Sequence, residues 1–372
     1  MKVAIVHEWF DTYAGSERVI EQMLAIWPEA DLFALVDFLP EGERGFLGGR
    51  RVRTSFIQRL PLARRHFRKF LGLMPLAVEQ FDLAGYDLVI SSSHAVAKGV
   101  LTGPGQLHVS YVHSPMRYAW DLQGQYLRQA GLERGPLSWY TRWQLHQLRH
   151  WDRSSAVGVD SLIANSRYIA ERIRKVWGRE STVIHPPVDV DRFALSDAAR
   201  EHYLIAARMV PYKRIDLVAA AFAGMPGRRL VICGDGPEMA NVQAAVAGAP
   251  NITLRGRVSQ AELLALVQTA RGFVFAAEED FGIGMVEALA AGTPVIAYGR
   301  GGAVDIVAPG TGLLFAEQSA DGISRAIEAF EAAPPPDPAA CRTQAMNFSA
   351  EVFRHKLRGH VEALLGRPCA SA

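Results

Sequence analysis

The chain has 372 residues, of which 49% are hydrophobic and 21% charged, and its 40 Lys and Arg residues nearly balance its 38 Asp and Glu residues. At roughly 150 residues per domain, this length predicts about two globular domains. The balanced charge argues against a general nucleic-acid-binding protein, which usually has a strongly basic face. No apolar run approaches the roughly 18 residues that span a bilayer, and the apolar start is interrupted at His7, too soon for a signal peptide.

The cysteines also exclude some classes of protein. Cys233, Cys341 and Cys369 are odd in number and widely spaced, which predicts neither a disulfide framework nor a zinc site. A reducing compartment is the simplest interpretation, so we expect a cytoplasmic protein. Cys233 lies in the apolar run LVIC, which favours a small buried hydrophobic residue over a nucleophile.

Short apolar runs alternate with helical patterns along the chain, which is typical of parallel α/β sheets. In the first half the predicted strands are KVAIVHE, DLFALV, YDLVISSS, LHVSYVH, DSLIANS and STVIHPPVD. In the second half they are YLIAARM, RLVICGDG, NITLRGRV, GFVFAAE, PVIAYG and GLLF. The restart of the pattern predicts two doubly wound domains, residues 1–195 and 196–333.

The remaining residues, 334–372, are predicted to form a linker and a C-terminal helix. The sequence AAPPPDP at 332–338 predicts a linker or stiff turn, because proline lacks an amide donor and breaks helices. An amphipathic stretch from Ala340 to Leu365 follows, and we expect it to pack back on the N-terminal domain.

The strongest functional motif is EDFGIGMVEALAAGTPVIAY at residues 279–298, directly after the strand GFVFAA. Ligands of open α/β sheets bind at such strand ends. Gly282 and Gly284 allow close approach of the backbone to a ligand, and a helix predicted to begin near Met285 would direct free amides at an anion. Glu279 and Glu287 can accept hydrogen bonds from sugar hydroxyls. The motif therefore predicts a ligand with phosphates and hydroxyls; the alternative is a solvated acidic turn.

The E-x7-E spacing, with Phe-Gly inside it, resembles the signature of retaining GT-B glycosyltransferases, especially glycosyltransferase family 4. Other segments resemble the family in order and spacing: ARMVPYKRID, VICGDGPE, LRGRVSQAEL, GRGGAVDIV and GTGLLF. VHEWFDTYAGSERVIEQML resembles the first strand and the GGAER loop, with Ala14 and Ser16 as departures. SSSHAVAKGV followed by YVHSPMRYAWD most resembles bacterial mannosyltransferases of O-antigen and exopolysaccharide assembly.

The resemblance implies a GT-B fold, with two Rossmann-like domains facing a central cleft. It implies a retaining transferase that moves a hexose, expected to be mannose from GDP-mannose, to a glycan or lipid-linked glycan in cell-surface polysaccharide assembly, for example lipopolysaccharide. The second domain would hold the nucleotide-sugar and the first the acceptor. The alternatives are a non-catalytic sugar-nucleotide-binding protein and a sugar-nucleotide epimerase. A nicotinamide-dependent dehydrogenase is disfavoured, because the first predicted strand of neither domain leads into a G-x-G-x-x-G motif.

The resemblance assigns catalytic roles to His113, Arg208, Lys213 and Glu279. Fixed cations such as Arg208 and Lys213 stabilise the charge that develops on a leaving diphosphate. We expect no metal, because the only D-x-D match, DVD at 189–191, lies in the interdomain region. We also expect no cofactor, since the nucleotide-sugar is a substrate. The predicted donor-binding residues are Gly15, Ser16, Asp235, Gly236, Arg257, Val258, Phe281, Gly282, Ile283, Gly284, Met285 and Glu287. The acceptor candidates are His94, Lys98, Arg117, Tyr118 and Trp120, of which the last three are alternatively a packed helix start.

Residues 50–78 contain no acidic side chain although the protein as a whole is nearly neutral. The basic residues there are Arg50, Arg51, Arg53, Arg59, Arg64, Arg65, Arg68 and Lys69. Basic and apolar side chains together favour reversible contact with an anionic membrane, so we expect a peripheral membrane association and no nucleic-acid partner. The alternative is that the arginines are solvated while Phe56, Leu60, Phe67 and Leu71 pack in the core.

Overall fold

The computed structural model describes residues 1–196, 198–246 and 248–366, and Cys369 lies outside these ranges. The chain divides into two compact units. The first unit comprises Met1–Pro186 together with the C-terminal segment from Phe353, and the second unit comprises Pro187–Val352.

The first unit is built on a seven-stranded parallel sheet. Its strands are β1 (Val3–Phe10), β2 (Asp31–Asp37), β3 (Val52–Thr54), β4 (Leu88–Ser93), β5 (Leu107–Val112), β6 (Ser161–Ala164) and β7 (Thr182–Val183). They lie in the order β3-β2-β1-β4-β5-β6-β7. Its helices are α1 (Gly15–Ile26), α2 (Ala63–His66), α3 (Met74–Glu79), α4 (Gln123–Gln129), α5 (Pro136–Ser155) and α6 (Arg167–Trp177). Short 3-10 helices cover Glu41–Glu43, Gly45–Leu47, Phe56–Arg59, Phe67–Leu73, Ala97–Gly99 and Ala156–Gly158.

The second unit has a six-stranded parallel sheet. Its strands are β8 (His202–Ala206), β9 (Leu230–Cys233), β10 (Ile252–Gly256), β11 (Ala270–Phe275), β12 (Val295–Tyr298) and β13 (Gly312–Phe315). Their order is β10-β9-β8-β11-β12-β13. A 3-10 helix covers Pro211–Lys213, and the α-helices are α7 (Ile215–Ala223), α8 (Met239–Val246), α9 (Gln260–Gln268), α10 (Ile283–Ala290), α11 (Ala303–Ile306), α12 (Ala320–Ala332) and α13 (Pro338–Met346).

Each sheet is covered on both faces, as the continuous apolar strands predict. Side chains of successive strand residues point to opposite faces, and in β1 Ile5 packs in one core cluster while Ala4 and Val6 pack in another. In β8, Leu204 and Ile205 divide between two clusters in the same way. The predicted α/β class with two doubly wound domains is confirmed.

The division between the units falls earlier in the chain than residue 195. Val188, Val190 and Phe193 are buried in a core cluster of the second unit, and the Val188 amide donates to the Phe348 carbonyl (2.9 Å). Residues 187–195 therefore belong with the second sheet, because their apolar side chains are covered there.

The C-terminal stretch predicted as one helix forms two. Helix α13 is followed by Asn347–Ser349 and then by α14 (Ala350–Leu364). The chain passes from the second unit to the first within α14, where Phe353, Leu357 and Val361 are buried in a core cluster with β1 and β5 residues. Residues 334–352 belong to the second unit.

Both sheets reverse their strand order at one place. The order turns between β1 and β4 in the first sheet and between β8 and β11 in the second. Two loops diverge at such a point and leave a crevice at the carboxyl ends of the strands, which is where ligands of open α/β sheets bind. The two switch points therefore indicate where functional side chains are expected in each unit.

Candidate functional site

In the second unit, the switch point brings together the predicted catalytic residues that follow β8 and β11. Lys213 lies in the 3-10 helix after β8, and its ammonium group forms an ion pair with the Glu279 carboxylate in the loop after β11. Both side chains are largely buried, with exposures of 13% and 21%. The Lys213 Nζ also lies 5.3 Å from the centre of the Phe275 ring. Arg208 lies in the same β8 loop and is exposed, so two cations and a carboxylate occupy one end of the sheet.

The loop that carries Glu279 is held by glycines that the sequence interpretation did not assign to the site. The Gly302 amide donates to the Glu279 carbonyl (2.8 Å). A Cβ on Gly301 would lie 2.3 Å from that carbonyl oxygen, and a Cβ on Gly302 would lie 2.3 Å from the Phe281 carbonyl oxygen. Only glycine allows this approach, and the signal was the glycine pair in GRGGAVDIV.

Helix α10 begins earlier than predicted, at Ile283 and not near Met285. Gly282 is its N-cap with φ of 103°, a conformation that favours glycine. Gly284 and Glu287 are partly exposed on this helix. The amides at its start are oriented as an anion site requires.

Two of the predicted donor-binding residues have their side chains in the core. Phe281 is 4% exposed and Met285 is 0% exposed, and both pack in a core cluster of the second unit. The Phe281 ring lies 5.6 Å from that of Phe348. We therefore correct the prediction for the side chains of these two residues, which are packed in the core and are not accessible to a ligand.

The predicted nucleotide turn packs against the segment that carries Arg208. Gly236 has φ of 156°, and a Cβ there would lie 2.3 Å from the Met209 carbonyl oxygen. The Met209 amide in turn donates to the Asp235 carbonyl (2.9 Å). The Asp235 side chain is exposed and accepts from the Gly236 amide (2.7 Å). The turn and the Arg208 loop therefore form one structure at the ends of β8 and β9.

Arg257 and Val258 follow β10 in the loop before α9. The Arg257 side chain is exposed, whereas Val258 is partly buried against the core. Ser259 caps α9 by accepting from the Glu262 amide (3.2 Å). The two residues lie at the same end of the sheet as the other candidates, since every strand in it is parallel.

In the first unit, Gly15 and Ser16 are the first two residues of α1, directly after the loop that follows β1. Both residues are partly exposed at the start of α1. Ala14 is extended, with φ of −138°, so an alanine is accommodated where the family pattern has glycine. Glu17 is 3% exposed, and its Oε2 accepts from the Ala14 amide (3.0 Å) and from the Ser16 hydroxyl (3.0 Å). The carboxylate therefore ties this loop to the helix.

His113 directly follows β5, and two backbone hydrogen bonds hold it in place. Its amide donates to the Ser93 carbonyl (2.8 Å), and its carbonyl accepts from the Asn165 side chain (3.0 Å). Its Nε2 lies 2.8 Å from the Ser92 hydroxyl. Burial, with smaller effects of His94 and His7, lowers the pKa of His113 well below its ordinary value. His113 is therefore a neutral ring at physiological pH.

His94 lies on a loop that is organised by a buried carboxylate which the sequence interpretation missed. Glu8 is 0% exposed, and it accepts from the amides of residues 94, 95, 96 and 97 at 2.8–3.0 Å. Burial raises the pKa of Glu8, but His94 and these amides more than offset that effect, so the pKa is lowered. The only sequence signal was an acidic residue inside an apolar strand.

The structure contradicts the prediction that Lys98 binds an acceptor. Its side chain is fully buried and pairs with the equally buried Asp152 (2.7 Å). Its Nζ also donates to the Ser155 hydroxyl (2.8 Å) and lies 4.8 Å from the centre of the Trp177 ring. A buried charge needs such partners, so Lys98 is part of the core and is not accessible to a ligand.

The other acceptor candidates are partly buried. Trp120 donates its indole N–H to Asp152 (2.7 Å), so this side chain is engaged in the same core network as Lys98. Tyr118 packs against the core and lies 6.1 Å from the Tyr126 ring. Arg117 is half-buried. These contacts match the alternative of a packed helix start for Trp120 and Tyr118.

Cysteines and metal-ligating side chains do not form a further site in the ranges that the structure describes. There, no group of three or more His, Cys, Asp or Glu side chains is arranged to hold a metal ion. Cys233 is buried in a core cluster, as predicted, and burial raises its pKa to about 11. Burial likewise raises the pKa of Cys341 to about 11.

The basic segment, residues 50–78, exposes its cations and part of its apolar surface. Arg64, Arg65 and Lys69 are exposed, whereas Arg68 pairs with Asp11 (2.6 Å). Phe67 is buried in the core, and Leu60 and Leu71 are partly buried against it. Large apolar side chains that are more than a third exposed are Phe56, Leu62, Leu73 and Leu76.

Comparison with known proteins follows the same division of the chain. The family described as Glycosyltransferase Family 4 matches residues 14–192, and the family described as Glycosyl transferases group 1 matches residues 191–348. The chain is 31% identical to a GDP-mannose-dependent alpha-mannosyltransferase of Mycolicibacterium smegmatis, with 99% of this chain and 98% of that protein covered. It is 30% identical to the enzyme of the same description from Mycobacterium tuberculosis, with 80% of each covered.

The fold is similar to that of solved structures. The crystal structure of Anabaena Alr3699/HepE in complex with UDP has a TM-score of 0.70 and 16% identity, with 98% of this chain and 100% of that chain covered. This similarity agrees with the two parallel-sheet units described above. The chain therefore has the GT-B fold and belongs to glycosyltransferase family 4.

Proposed function

We propose that this protein is a retaining mannosyltransferase that uses GDP-mannose as its donor. The similarity to two GDP-mannose-dependent alpha-mannosyltransferases, each at about 30% identity over most of its length, supports this donor. The donor carries an α-linked mannose, and an α-linked product corresponds to retention. The observation that carries the proposal is the pairing of Lys213 with Glu279 at the end of the second sheet, where fixed cations and a carboxylate occur together.

The second unit binds the nucleotide and the diphosphate. Arg208 and Lys213 stabilise the charge that develops on the leaving diphosphate, and the amides at the start of α10 face the phosphates. An ammonium group has three N–H donors, so Lys213 contacts phosphate oxygens while Glu279 holds its position. Glu279 also contacts the transferred sugar, and Glu287 accepts hydrogen bonds from the ribose. The backbone of the Asp235–Gly236 turn and the Arg257–Val258 loop line the nucleotide.

The first unit supplies His113 and the acceptor-binding surface. His113 contacts the transferred mannose, and Gly15 and Ser16 lie against the donor phosphate or the acceptor. His94 and Arg117 remain the acceptor candidates, because Lys98 is buried with Asp152, Trp120 donates to Asp152 and Tyr118 packs against the core. Because the cations of the second unit balance the diphosphate charge, the reaction needs no metal and no cofactor.

The acceptor is a lipid-linked glycan in cell-surface polysaccharide assembly, of the O-antigen or exopolysaccharide kind, and the protein meets it on the cytoplasmic side of the membrane. The exposed cations and leucines of the basic segment support contact with an anionic bilayer. The exposed apolar residues near the start of α5 support it as well, since aromatic side chains prefer the membrane interface: Leu137, Trp139, Tyr140 and Trp143. Helix α5 adjoins the basic segment, because a Cβ on Gly72 would lie 2.9 Å from Nε2 of Gln144. The described residues contain no helix that is both long and apolar enough to cross a membrane.

The experiment combines donor binding with the stereochemistry of the product. In a thermal-shift panel, GDP-mannose should raise the apparent stability more than UDP- or ADP-sugars do, because a ligand stabilises the state that binds it. Turnover of GDP-mannose with a lipid extract, followed at once by proton NMR, should give an α linkage, with full activity in EDTA. A β-linked product, a strict metal requirement or a preference for another nucleotide would each contradict the corresponding part of the proposal.

A further inference from the structure

Four polar side chains form a continuous chain of hydrogen bonds at the switch point of the first sheet. Glu17 Oε1 lies 3.3 Å from His7 Nε2, and His7 Nδ1 lies 3.2 Å from the Ser92 hydroxyl. That hydroxyl lies 2.8 Å from His113 Nε2. His7 and Ser92 are partners in the register of β1 with β4, so the parallel sheet itself brings them side by side.

The three other residues of this hydrogen-bonded series, Glu17, His7 and Ser92, are almost completely buried. His7 is 1% exposed, Ser92 0% and Glu17 3%. Burial excludes competing water, so each group depends on its neighbour for a hydrogen bond, and an unsatisfied group there would be costly. The direction in which each proton is donated is therefore determined by these four side chains themselves and not by water.

The carboxylate at one end determines which nitrogen of His7 donates to it. An ionised carboxylate can only accept hydrogen bonds. Burial raises the pKa of Glu17, but the hydrogen bond from His7 and the other contacts more than offset this effect, so the pKa is lowered and Glu17 is ionised. When His7 is neutral, its Nε2–H donates to Glu17, which leaves Nδ1 to accept from the Ser92 hydroxyl. The Ser92 oxygen then accepts from His113 Nε2–H.

We infer that His7 is neutral and that Glu17, His7 and Ser92 are positioning residues that hold His113 as its Nε2–H tautomer, with an unprotonated Nδ1 available to accept a hydrogen bond. The significance of this tautomer rests on the proposed function, in which His113 contacts the sugar. An unprotonated Nδ1 would accept a hydrogen bond from a sugar hydroxyl, whereas an Nδ1–H would donate to that hydroxyl's oxygen, so the tautomer determines the direction of the hydrogen bond to the sugar.

The same carboxylate also organises the loop of Gly15 and Ser16. One oxygen of Glu17 bonds to His7, while the other accepts from the Ala14 amide and the Ser16 hydroxyl. A glutamine has a single acceptor oxygen and cannot serve both groups. Glu17 therefore couples the loop after β1 to the orientation of His113.

The tautomer can be read directly by NMR on protein labelled with ¹⁵N-histidine. Two-bond ¹H–¹⁵N spectra distinguish a protonated ring nitrogen from an unprotonated one, and the spectrum of His113→Gln identifies the His113 signals. We expect a protonated Nε2 and an unprotonated Nδ1 in the wild-type protein. Ser92→Ala and Glu17→Gln should each give His113 a mixture of tautomers. Ser92→Thr, which retains the hydroxyl, should restore the wild-type signals.

Ser91→Ala is the matched control. Ser91 precedes Ser92 on β4, is equally buried and pairs with His108 Nε2 (2.9 Å), but its side chain lies on the other face of the sheet. Ser91→Ala should lower the free energy of unfolding by about as much as Ser92→Ala does, without changing the His113 signals. In the turnover assay, Ser92→Ala should lower kcat about tenfold with little change in KM for the donor, as for a lost positioning hydrogen bond, and Ser91→Ala should not lower kcat.

A protonated Nδ1 on His113 in the wild-type protein would overturn the inference, as would unchanged His113 signals in Ser92→Ala. The spectra require no substrate. The expected tautomer in a protein that does not transfer mannose would therefore support the inference while contradicting the proposed function.

Discussion

Lys213 and Glu279 form an ion pair across 66 residues of sequence. The pair joins the loop after β8 to the loop after β11, which are neighbouring strands at the reversal point of the second sheet. An ammonium group held in advance by a carboxylate does not have to reorganise when charge develops on a leaving phosphate. The pair is therefore the basis of the first two predictions.

Lys213→Ala should lower turnover by a factor on the order of 10²–10³, by analogy with the loss of one preorganised transition-state donor. Initial rates with GDP-mannose measure the effect. Arg229→Ala is the control, because Arg229 forms a surface ion pair with Glu201 just before β8 and β9, at the opposite end of the same sheet. Equal rates for the two variants would exclude Lys213 from the reaction.

The two glutamates of the E-x7-E motif should separate binding from turnover. Glu287→Ala should weaken the binding of free GDP, because this carboxylate accepts hydrogen bonds from the ribose in the proposed function. Glu279→Ala should lower turnover while sparing the affinity for GDP, because its partners are Lys213 and the transferred sugar. Calorimetric titration with GDP and initial rates with GDP-mannose measure the two effects. The opposite pattern would reverse the assignment.

Lys98→Met should destabilise the protein by about 3–5 kcal/mol, because it leaves the charge of Asp152 buried without its counter-ion. Urea unfolding measures the change. Lys175→Met, at an exposed position of α6, should change stability by less than about 0.5 kcal/mol. If Lys98→Met had the same free energy of unfolding as the wild type but lost acceptor binding, the assignment of a structural role to Lys98 would be wrong.

The triple variant Arg64→Gln, Arg65→Gln and Lys69→Gln should bind anionic vesicles more weakly. These three side chains are exposed, whereas Arg68 is left unchanged because it pairs with Asp11. At about 1 kcal/mol for each cation near an anionic surface, the loss is about 3 kcal/mol, on the order of 10²-fold in affinity. Sedimentation with vesicles of phosphatidylcholine and phosphatidylglycerol measures it, and added salt should weaken wild-type binding by screening.

A second triple variant controls for the change in net charge. Arg229, Arg271 and Arg325 are exposed residues of the second unit, and their joint change to Gln removes the same charge. It should leave vesicle binding nearly unchanged. A specific contribution of the basic segment would be contradicted if both triple variants weakened vesicle binding equally. It would also be contradicted if neither variant weakened vesicle binding.

Much of the fold could be predicted from the local pattern of residues. The strands VAIVHEWF and LVIC, for example, lie near the positions predicted from their apolar runs, because burial on both faces of a sheet requires continuous apolar sequence. The motif at residues 279–298 also identified the loop and helix that hold Glu279 and Glu287, since glycines at a strand end leave a strong local signal.

Other features depend on which strands become neighbours, and local sequence does not encode that directly. The local sequence SSSHAVAKG predicts that Lys98 is a cation accessible to a ligand. Its pairing with Asp152 depends instead on helix α5, which packs beside the loop after β4. Phe281 and Met285 lie in a ligand-binding motif, yet their side chains complete the core. The register of β1 with β4 brings His7 to Ser92 across 85 residues. The sequence by itself thus determined most of the strands, the family and the motifs, although β3 (Val52–Thr54) and the division of the C-terminal stretch into two helices were not predicted. The tertiary structure decided which polar side chains are buried with partners and which are accessible to a ligand, because burial depends on contacts between distant segments.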